Sequence, residues 1–134
     1  MTYVAIEGER ALGFVTVAPR QVDIEDLPER TRKKLPRYPV PVLGLARLAV
    51  DKSAQSMGLG GHLLRFVLKL ASKMADEVGC VGVVVDAKPS AVGFYTKYGF
   101  TRFDPLEGQS EARPQPIAMW LSMKAIKAAS EPAH

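Results

Sequence analysis

The 134-residue sequence is 47% apolar and 24% charged, has a formal net charge of +4 and contains one cysteine, Cys80. This composition predicts a soluble globular protein with one core and excludes a disordered or low-complexity chain. No apolar run approaches the roughly 18 residues that cross a bilayer, so we expect no membrane partner. A single cysteine and two histidines exclude disulfide frameworks, zinc fingers and iron–sulfur clusters, which favours a reducing, cytoplasmic setting without a bound metal.

The first half of the chain is dominated by predicted strands. Residues 1–7 and Leu12–Val17 are rich in β-formers and flank a turn, which indicates a hairpin. A helix is predicted to start near Asp26 and to end at the prolines that follow. Val42–Val50 is almost continuously apolar, and this pattern predicts a strand buried on both faces.

A strand–helix–strand unit follows. Residues 51–61 form a glycine-containing loop, after which apolar residues recur every three or four positions through His62–Val78, predicting a helix that Gly79 ends. Cys80–Val85 predicts a second buried strand. Because a long helix connects them, we expect the two buried strands to lie parallel.

The last part of the chain predicts one more helix and one more strand. Pro89–Tyr98 indicates a short helix with Ser90 as its N-cap, and Ile117–Met123 indicates a strand. We expect residues 125–134 to be a frayed tail. The order of elements indicates a single α/β (α+β) domain over residues 1–134, built on a mixed sheet.

The loop contains the pattern Gln55-x-x-Gly58-x-Gly60 between a buried strand and a long helix. Glycines allow the backbone to approach a ligand closely, and the helix start offers free N–H groups, which together suit a pyrophosphate. The pattern matches the acetyl-coenzyme A loop Q/R-x-x-G-x-G/A at every fixed position. It lacks the Lys-Ser/Thr of a Walker loop and the last glycine of a dinucleotide fingerprint. On its own, such a loop is also compatible with a tight turn that binds nothing.

A second motif, Phe94-Tyr-Thr-Lys-Tyr-Gly-Phe100, follows the second buried strand. Both motifs in this order resemble the GNAT acetyltransferase superfamily. The resemblance implies an acyl-CoA N-acyltransferase fold, with a mixed sheet that splays between its two parallel strands, and acetyl-CoA as cosubstrate. The aromatic residues of the motif also suit a core, which is the role that we expect for Phe94 and Phe100.

The resemblance also implies the roles of individual residues. The pantetheine arm would pair with the first parallel strand, and the pyrophosphate would take N–H groups from the loop. Tyr95 would protonate the departing thiolate, since a phenol with a pKa of about 10 is a plausible acid for it. Tyr98 is the weaker candidate. The implied cofactor-binding residues are Leu48, Ala49, Val50, Gln55, Ser56, Met57, Gly58, Leu59, Gly60 and Gly61.

A narrower resemblance, to the TacT-type toxins of toxin–antitoxin systems, is carried by six segments: Tyr3–Ala5, Asp26–Arg30, Leu35–Pro41, Leu45–Asp51, Val85–Lys88 and Phe94–Tyr95. It implies acetylation of the α-amino group of aminoacyl-tRNA, a ribbon-helix-helix antitoxin as partner, and a homodimer. The chain begins at what is usually the second strand of these proteins, so we expect an N-terminally truncated domain. Asp86 stands where these proteins usually have a histidine.

Five cations are clustered within eight residues: Arg30, Arg32, Lys33, Lys34 and Arg37. Such a cluster favours contacts to tRNA phosphates, although a solvated helix face has the same composition. Asp86, Asp104 and His62 are the few candidate bases, and this scarcity favours an acceptor amine that is already neutral. Two other functions remain open: an acetyltransferase for a small amine or protein, and a non-catalytic CoA-binding or antitoxin-complex repressor subunit.

Overall fold

The computed structural model describes residues 1–22, 40–102 and 116–130. The described strands are β1 (Thr2–Glu7), β2 (Arg10–Val22), β3 (Val40–Val50), β4 (Gly82–Ala87), β5 (Thr101–Arg102) and β6 (Ile117–Ser122). The described α-helices are α1 (Leu59–Val78), α2 (Val92–Lys97) and α3 (Met123–Ser130), with short 3-10 helices at Lys52–Met57 and Pro89–Ala91. None of these helices is both long and apolar enough to cross a bilayer.

The six strands form one mixed sheet in the order β1-β2-β3-β4-β6-β5. β1 and β2 form the predicted antiparallel hairpin. β3 and β4 run parallel, as the long helix α1 between them requires, and the other neighbouring pairs are antiparallel. The α/β prediction with a mixed sheet is confirmed.

The main core lies between one face of the sheet and the helices. Helix α1 supplies Leu63, Leu64, Val67 and Ala71, whose spacing of three to four residues keeps them on one side. Strands β2, β3 and β4 supply alternate residues to the same core, listed in chain order as Val15, Val17, Leu43, Leu45, Val83 and Val85. The opposite face carries a second buried cluster, made of Val22, Val40, Val42, Val84 and Trp120.

The boundaries of α1 differ from the prediction at one end. The helix starts at Leu59 rather than His62, because Gly58 takes a left-handed conformation (φ 73°) that ends the preceding 3-10 helix and starts α1. Gly79 ends α1 as predicted, with its N–H donating to the Ala75 carbonyl and the N–H of Cys80 donating to the Met74 carbonyl.

The frayed tail predicted for residues 125–134 is wrong through Ser130, since these residues belong to α3. Ile126 is 2% exposed and anchors α3 in the main core, while Lys127 forms an ion pair with Asp76 of α1 at 3.2 Å. The Ser90 cap is also wrong: α2 starts after Ala91 and has no side-chain cap. The helix predicted from Asp26 lies outside the described residues.

Candidate active site

Strand β3 loses one of its two neighbours half-way along its length. Its parallel pairing with β4 joins Leu43, Gly44 and Leu45 to three consecutive β4 residues and then stops. Its antiparallel pairing with β2 continues to Val50. Among the described strands none pairs with residues 46–50 on the edge that faces the gap between β3 and β4, although the Gln55 side chain donates to the Val50 carbonyl, and this free half contains Leu48, Ala49 and Val50. The prediction of a strand buried on both faces is wrong for this half, since Ala46, Arg47 and Ala49 are exposed.

A β-bulge marks the point where the neighbour is lost. Thr16 of β2 opposes Arg47 and Val17 opposes Leu45, so Ala46 is an extra residue without a partner on β2. The extra residue reverses the alternation of side chains. Before it, Leu43 and Leu45 point into the main core; after it, Leu48 and Val50 do.

The segment that leaves β3 is a capped 3-10 helix rather than an open loop. The Asp51 carboxylate accepts hydrogen bonds from the backbone N–H of Ser53 at 3.1 Å, from the Ser53 hydroxyl and from the Arg10 guanidinium at 3.1 Å. These interactions, with the two bonds from Ser53 foremost, lower the pKa of Asp51. The Gln55 side chain donates to the carbonyl of Val50 at 3.2 Å. The glycine turn is thereby fixed to the end of β3.

Helix α1 begins without any side-chain cap. The left-handed Gly58 precedes it, and the N–H of His62 is the first to donate back, to the Gly58 carbonyl at 3.2 Å. The N–H groups of Leu59, Gly60 and Gly61 therefore lie at an uncapped helix start with no acidic residue in the first turn. Such a terminus favours an anion.

Three elements meet at this helix start. A Cβ placed on Gly60 would lie 3.6 Å from the Phe94 ring of α2 and 3.8 Å from the Val50 side chain of β3. A Cβ on Gly61 would overlap the Tyr98 hydroxyl, so a side chain there would require the Tyr98 ring to move. The two sequence motifs and the end of β3 are therefore in direct contact. Ser56 and Met57 lie in the 3-10 helix of the same turn.

Tyr95 lies in α2 with its ring buried and 7% of the residue exposed. The ring stacks on Phe94 with centroids 5.1 Å apart and packs edge-on against Phe100 at 5.4 Å. Burial raises the pKa of the Tyr95 phenol. In the described part of the chain the hydroxyl has no hydrogen-bond partner, and no buried side-chain oxygen is left unpaired, so the hydroxyl must reach an open space. Phe100 is 2% exposed and Phe94 half-buried, as expected for core aromatics.

A family model for the acetyltransferase (GNAT) domain matches residues 1–102. The chain belongs to the GNAT acetyltransferase family. It is 38% identical over 107 residues to a tRNA-acetylating toxin of Mycobacterium tuberculosis, a match that covers 78% of this chain and 64% of that protein. The chain thus spans a little under two thirds of this relative.

Solved structures share the architecture. AtaT complexed with acetyl-methionyl-tRNAfMet superimposes with a TM-score of 0.80 at 25% identity, covering 97% of this chain and 75% of that one. AtaTR bound with acetyl-CoA superimposes with a TM-score of 0.72 at 27% identity, covering 97% and 74%. The predicted GNAT fold is confirmed.

The remaining candidates of this GNAT domain are dispersed. His62 is exposed on the first turn of α1, and Asp86 is exposed near the end of β4. Tyr98 is half-buried, 5.2 Å from Phe94 by ring centroids, and covers Gly61. Asp104 and the five cations of residues 30–37 lie outside the described residues.

Sequence reasoning missed two arginines of β2. Arg10 holds the Asp51 cap, and Arg20 forms an ion pair with Asp86 at 3.8 Å. Both contacts join residues more than 40 positions apart, so no local pattern reveals them. The alternation in Leu43, Leu45, Leu48 and Val50 does contain a local signal for the bulge, because the apolar spacing changes from two to three and back.

Proposed function

We propose that this protein transfers the acetyl group of acetyl-CoA to the α-amino group of aminoacyl-tRNA and thereby acts as a translation-blocking toxin. One observation carries the acetyl-transfer part: the free edge of β3 leads directly into the uncapped, glycine-lined start of α1. An extended thioester arm and a pyrophosphate need these two features side by side.

Each part of acetyl-CoA has a matching group in the described residues. The pantetheine amides would pair with backbone groups of Leu48–Val50 as an added strand does. The pyrophosphate would accept hydrogen bonds from the N–H groups of residues 55–61, where the positive end of the α1 dipole and the absence of acidic side chains favour it. Gly60 leaves space for this anion, since a Cβ there would meet only the Phe94 ring and Val50 at van der Waals distance.

Tyr95 supplies the acid of the proposed reaction. As the amine nitrogen bonds to the acetyl carbon and the carbon–sulfur bond breaks, the Tyr95 hydroxyl donates its proton to the departing sulfur. Burial raises the pKa of this phenol, which keeps it protonated at neutral pH. Because no hydrogen-bond partner lies within residues 1–22, 40–102 and 116–130, this hydroxyl is available for the transfer.

The acceptor is inferred from the relatives and from the chemistry of amines. A tRNA-acetylating toxin is 38% identical, and AtaT has been solved with acetyl-methionyl-tRNAfMet. An α-amine has a pKa of about 7.7–8.0, against about 10.4 for a lysine side chain, so it needs no strong base to become a nucleophile. The cluster Arg30, Arg32, Lys33, Lys34 and Arg37 would contact tRNA phosphates.

Partners beyond tRNA complete the proposal. A ribbon-helix-helix antitoxin would neutralise the toxin in the cytoplasm, and two copies of the chain would form a dimer. The edge strand β1 supports self-association, because Val4 and Ile6 are 50% and 65% exposed on a strand whose outer edge pairs with no other described strand. Sedimentation of the purified protein, alone and with the product of a neighbouring antitoxin gene, tests both assemblies.

The function is tested by incubating the protein with labelled acetyl-CoA and charged tRNA. We expect label in the aminoacyl end of charged tRNA and none in uncharged tRNA, which lacks the amine. A variant with Arg30, Lys33 and Arg37 replaced by Ala should acetylate charged tRNA less. The slope of log affinity for tRNA against log salt concentration should become shallower by about one unit per lost phosphate contact. Acetylation of a small α-amino ester should be unchanged, after the melting temperature has confirmed the fold.

Two outcomes would contradict the proposal. Equal acetylation of charged tRNA by the triple variant at every salt concentration would show that the cluster is only a solvated face. Acetylation of small amines or proteins, with none of charged tRNA, would favour the acetyltransferase of a different acceptor.

A further inference from the structure

An arginine crosses the sheet on the face opposite the helices. Arg20 lies on β2 and Asp86 on β4, with β3 between them, yet Arg20 Nη1 is 3.8 Å from Asp86 Oδ2. The crossing is possible because residue 44 of β3 has no side chain. A Cβ on Gly44 would overlap the Arg20 Cδ and lie 3.0 Å from its Cγ. The arginine stem therefore lies directly over the β3 backbone.

Asp86 stands where the gap between the parallel strands opens. Val85 is the last β4 residue that pairs with β3, and Asp86 pairs only with Ala118 of β6. On the other strand, the bulged Ala46 is the first residue beyond the pairing. Asp86 and Ala46 therefore border the start of the gap that would hold the thioester.

Asp86 and Tyr95 lie on opposite faces of the sheet. Tyr95 belongs to the main core on the helix face, together with Val83 and Val85. Val84 belongs to the cluster on the opposite face, and Asp86, two residues on, shares its side of the strand. A group in the gap thus has the acid on one face and the carboxylate on the other. An amine that attacks the acetyl carbon from the face opposite Tyr95 approaches from the Asp86 face.

Small residues leave room for an acceptor around the carboxylate. Asp86 pairs with Ala118 on β6, Arg20 lies over Gly44 on β3, and the Asp86 and Arg20 side chains remain 59% and 49% exposed. Arg20 faces Oδ2, which leaves Oδ1 without a protein partner in the described residues. A carboxylate oxygen in this state accepts a hydrogen bond from an amine.

We propose that Asp86 binds the attacking amine of the acceptor, and that Arg20, lying across Gly44, positions the Asp86 carboxylate. This inference rests on the proposed acetyl transfer to a primary amine. Asp86 Oδ1 accepts a hydrogen bond from the amine N–H, so that the nitrogen lone pair faces the acetyl carbon. The nitrogen–carbon bond forms, the carbon–sulfur bond breaks, and the sulfur takes the Tyr95 proton. The amine releases one proton to water beside Asp86, and water reprotonates Tyr95.

A merely structural ion pair predicts a different outcome. An exposed pair of this kind stabilises a protein little, so its loss would lower the melting temperature slightly and would leave the acceptor KM unchanged. The proposal instead predicts an effect confined to the acceptor. Asp86→Asn should raise the KM for the aminoacyl acceptor by roughly 10- to 100-fold, as expected when a hydrogen bond to a charged group is weakened. The Kd for acetyl-CoA should stay within about twofold, since the proposal gives Asp86 a hydrogen bond to the amine and none to the cosubstrate.

The positioning role of Arg20 is tested through Gly44. Arg20→Ala and Gly44→Ala should each raise the acceptor KM, the second by displacing an intact arginine. The double variant should be no worse than Arg20→Ala alone, because no stem is left to displace. Asp86→Glu should recover part of the acceptor affinity. Asp76→Asn is the matched control, since Asp76 forms an exposed ion pair with Lys127 far from the gap.

The inference and the proposed function fail in different ways. If the wild-type protein acetylates an α-amino ester and Asp86→Asn has the same acceptor KM, Asp86 does not bind the amine, while the function stands. If the wild type acetylates other primary amines instead, the proposed acceptor is wrong and Asp86→Asn is compared on those amines. Additive effects of Arg20→Ala and Gly44→Ala would remove Arg20 from its positioning role. If no primary amine is acetylated, both proposals fall.

Discussion

Both halves of β3 pair with β2 along one edge, but only the first half pairs with β4 along the other. Val40–Leu45 lies between β2 and β4 and contributes to buried clusters on both faces of the sheet. Residues 46–50 keep β2, lose β4 and expose every residue that does not face the helices. The change takes place at one inserted residue, Ala46.

This contrast separates stability from function along one strand. The first half is fixed by pairing on both edges and by side chains with little or no exposed surface. The second half offers unpaired backbone groups next to a helix start, which is what a ligand needs and a core does not. A bulge thus turns a core strand into a binding edge without ending the strand.

We expect the largest effect on turnover, from a substitution at the gap beside residues 46–50 of β3. Tyr95→Phe should lower turnover by roughly 10²- to 10⁴-fold, the range for a positioned general acid, and should leave acetyl-CoA binding unchanged. The matched control is Tyr98→Phe, which removes a hydroxyl that covers Gly61 and should reduce turnover far less. Single-turnover acetylation of an α-amino ester measures both. Full activity of Tyr95→Phe would reassign the proton donor to Tyr98 or to solvent.

Burial of Tyr95 gives the same prediction a pH dependence. The folded-state pKa is raised above the ordinary value of 10.0, so the phenol stays protonated at pH values where a free tyrosine has begun to ionise. The acid is available below that raised pKa and lost only as the pH rises through it. We expect no alkaline decline of kcat from this group below pH 10, and a decline near pH 9 that disappears in Tyr95→Phe would contradict the raised pKa of Tyr95.

Substituting a leucine on either side of the bulge compares the two halves of β3 directly. Leu45 is 3% exposed in the paired half, so Leu45→Ala should lower the free energy of unfolding by about 2–5 kcal/mol. Leu48 is half-buried in the free half, so Leu48→Ala should cost less and should weaken acetyl-CoA binding more. Urea unfolding with and without acetyl-CoA measures both quantities. Equal destabilisation by the two substitutions would show that the bulge does not divide the strand energetically.

The contrast between the halves was only partly predictable from the sequence. The apolar run Val42–Val50 predicted the strand and its parallel partner, because a long amphipathic helix connects it to the next run. It did not predict where pairing with β4 ends, since that depends on the divergence of two strands 40 residues apart. The exposed Arg47 and the shifted apolar spacing are the only local signs.

The C-terminal helix shows a second limit. Residues 123–130 are rich in Ala and Lys, good helix formers, and the Ser122 hydroxyl caps the helix start by accepting from the Ala125 N–H at 3.2 Å, but between Met123 and Ala128 only Ile126 is buried. A single anchor gives no periodicity to recognise, and α3 is held by its packing on α1. For the site, the loop and Tyr95 were found through local motifs. Arg20 and Gly44 became relevant only when three strands were aligned in register.

Gly60→Asp should prevent acetyl-CoA from stabilising the protein. A ligand at a hundredfold excess over Kd stabilises the fold by about 2.7 kcal/mol, and a carboxylate at the helix start would repel the pyrophosphate that produces this effect. Gly60→Ala is the control, because its Cβ would have ordinary contacts with Phe94 and Val50 and adds no charge. Thermal melting with acetyl-CoA distinguishes them. Equal shifts for Gly60→Asp and wild type would remove the loop from the site.

The smallest effect concerns the cap that fixes the glycine turn to β3. Hydrogen bonds from Ser53, with Arg10 adding to them, lower the folded-state pKa of Asp51 below its ordinary 3.8. The stabilisation is therefore present above pH 3.8 and is lost as the pH falls through the lowered pKa. Asp51→Asn should melt slightly earlier at pH 7, with the difference vanishing in strong acid. A difference that persists unchanged to pH 2 would mean that the charge of Asp51 is not its source.

The hydroxyl of Tyr98 occupies the place where residue 61 would carry a Cβ. Substitutions at positions 61 and 98 are therefore coupled, because a Cβ at residue 61 would overlap the Tyr98 hydroxyl. With phenylalanine at 98 the nearest ring atom would be 3.2 Å from that Cβ, a contact that a small shift relieves. Losing the hydroxyl at 98 before gaining an alanine at 61 therefore avoids the overlap, whereas the reverse order requires the Tyr98 ring to move.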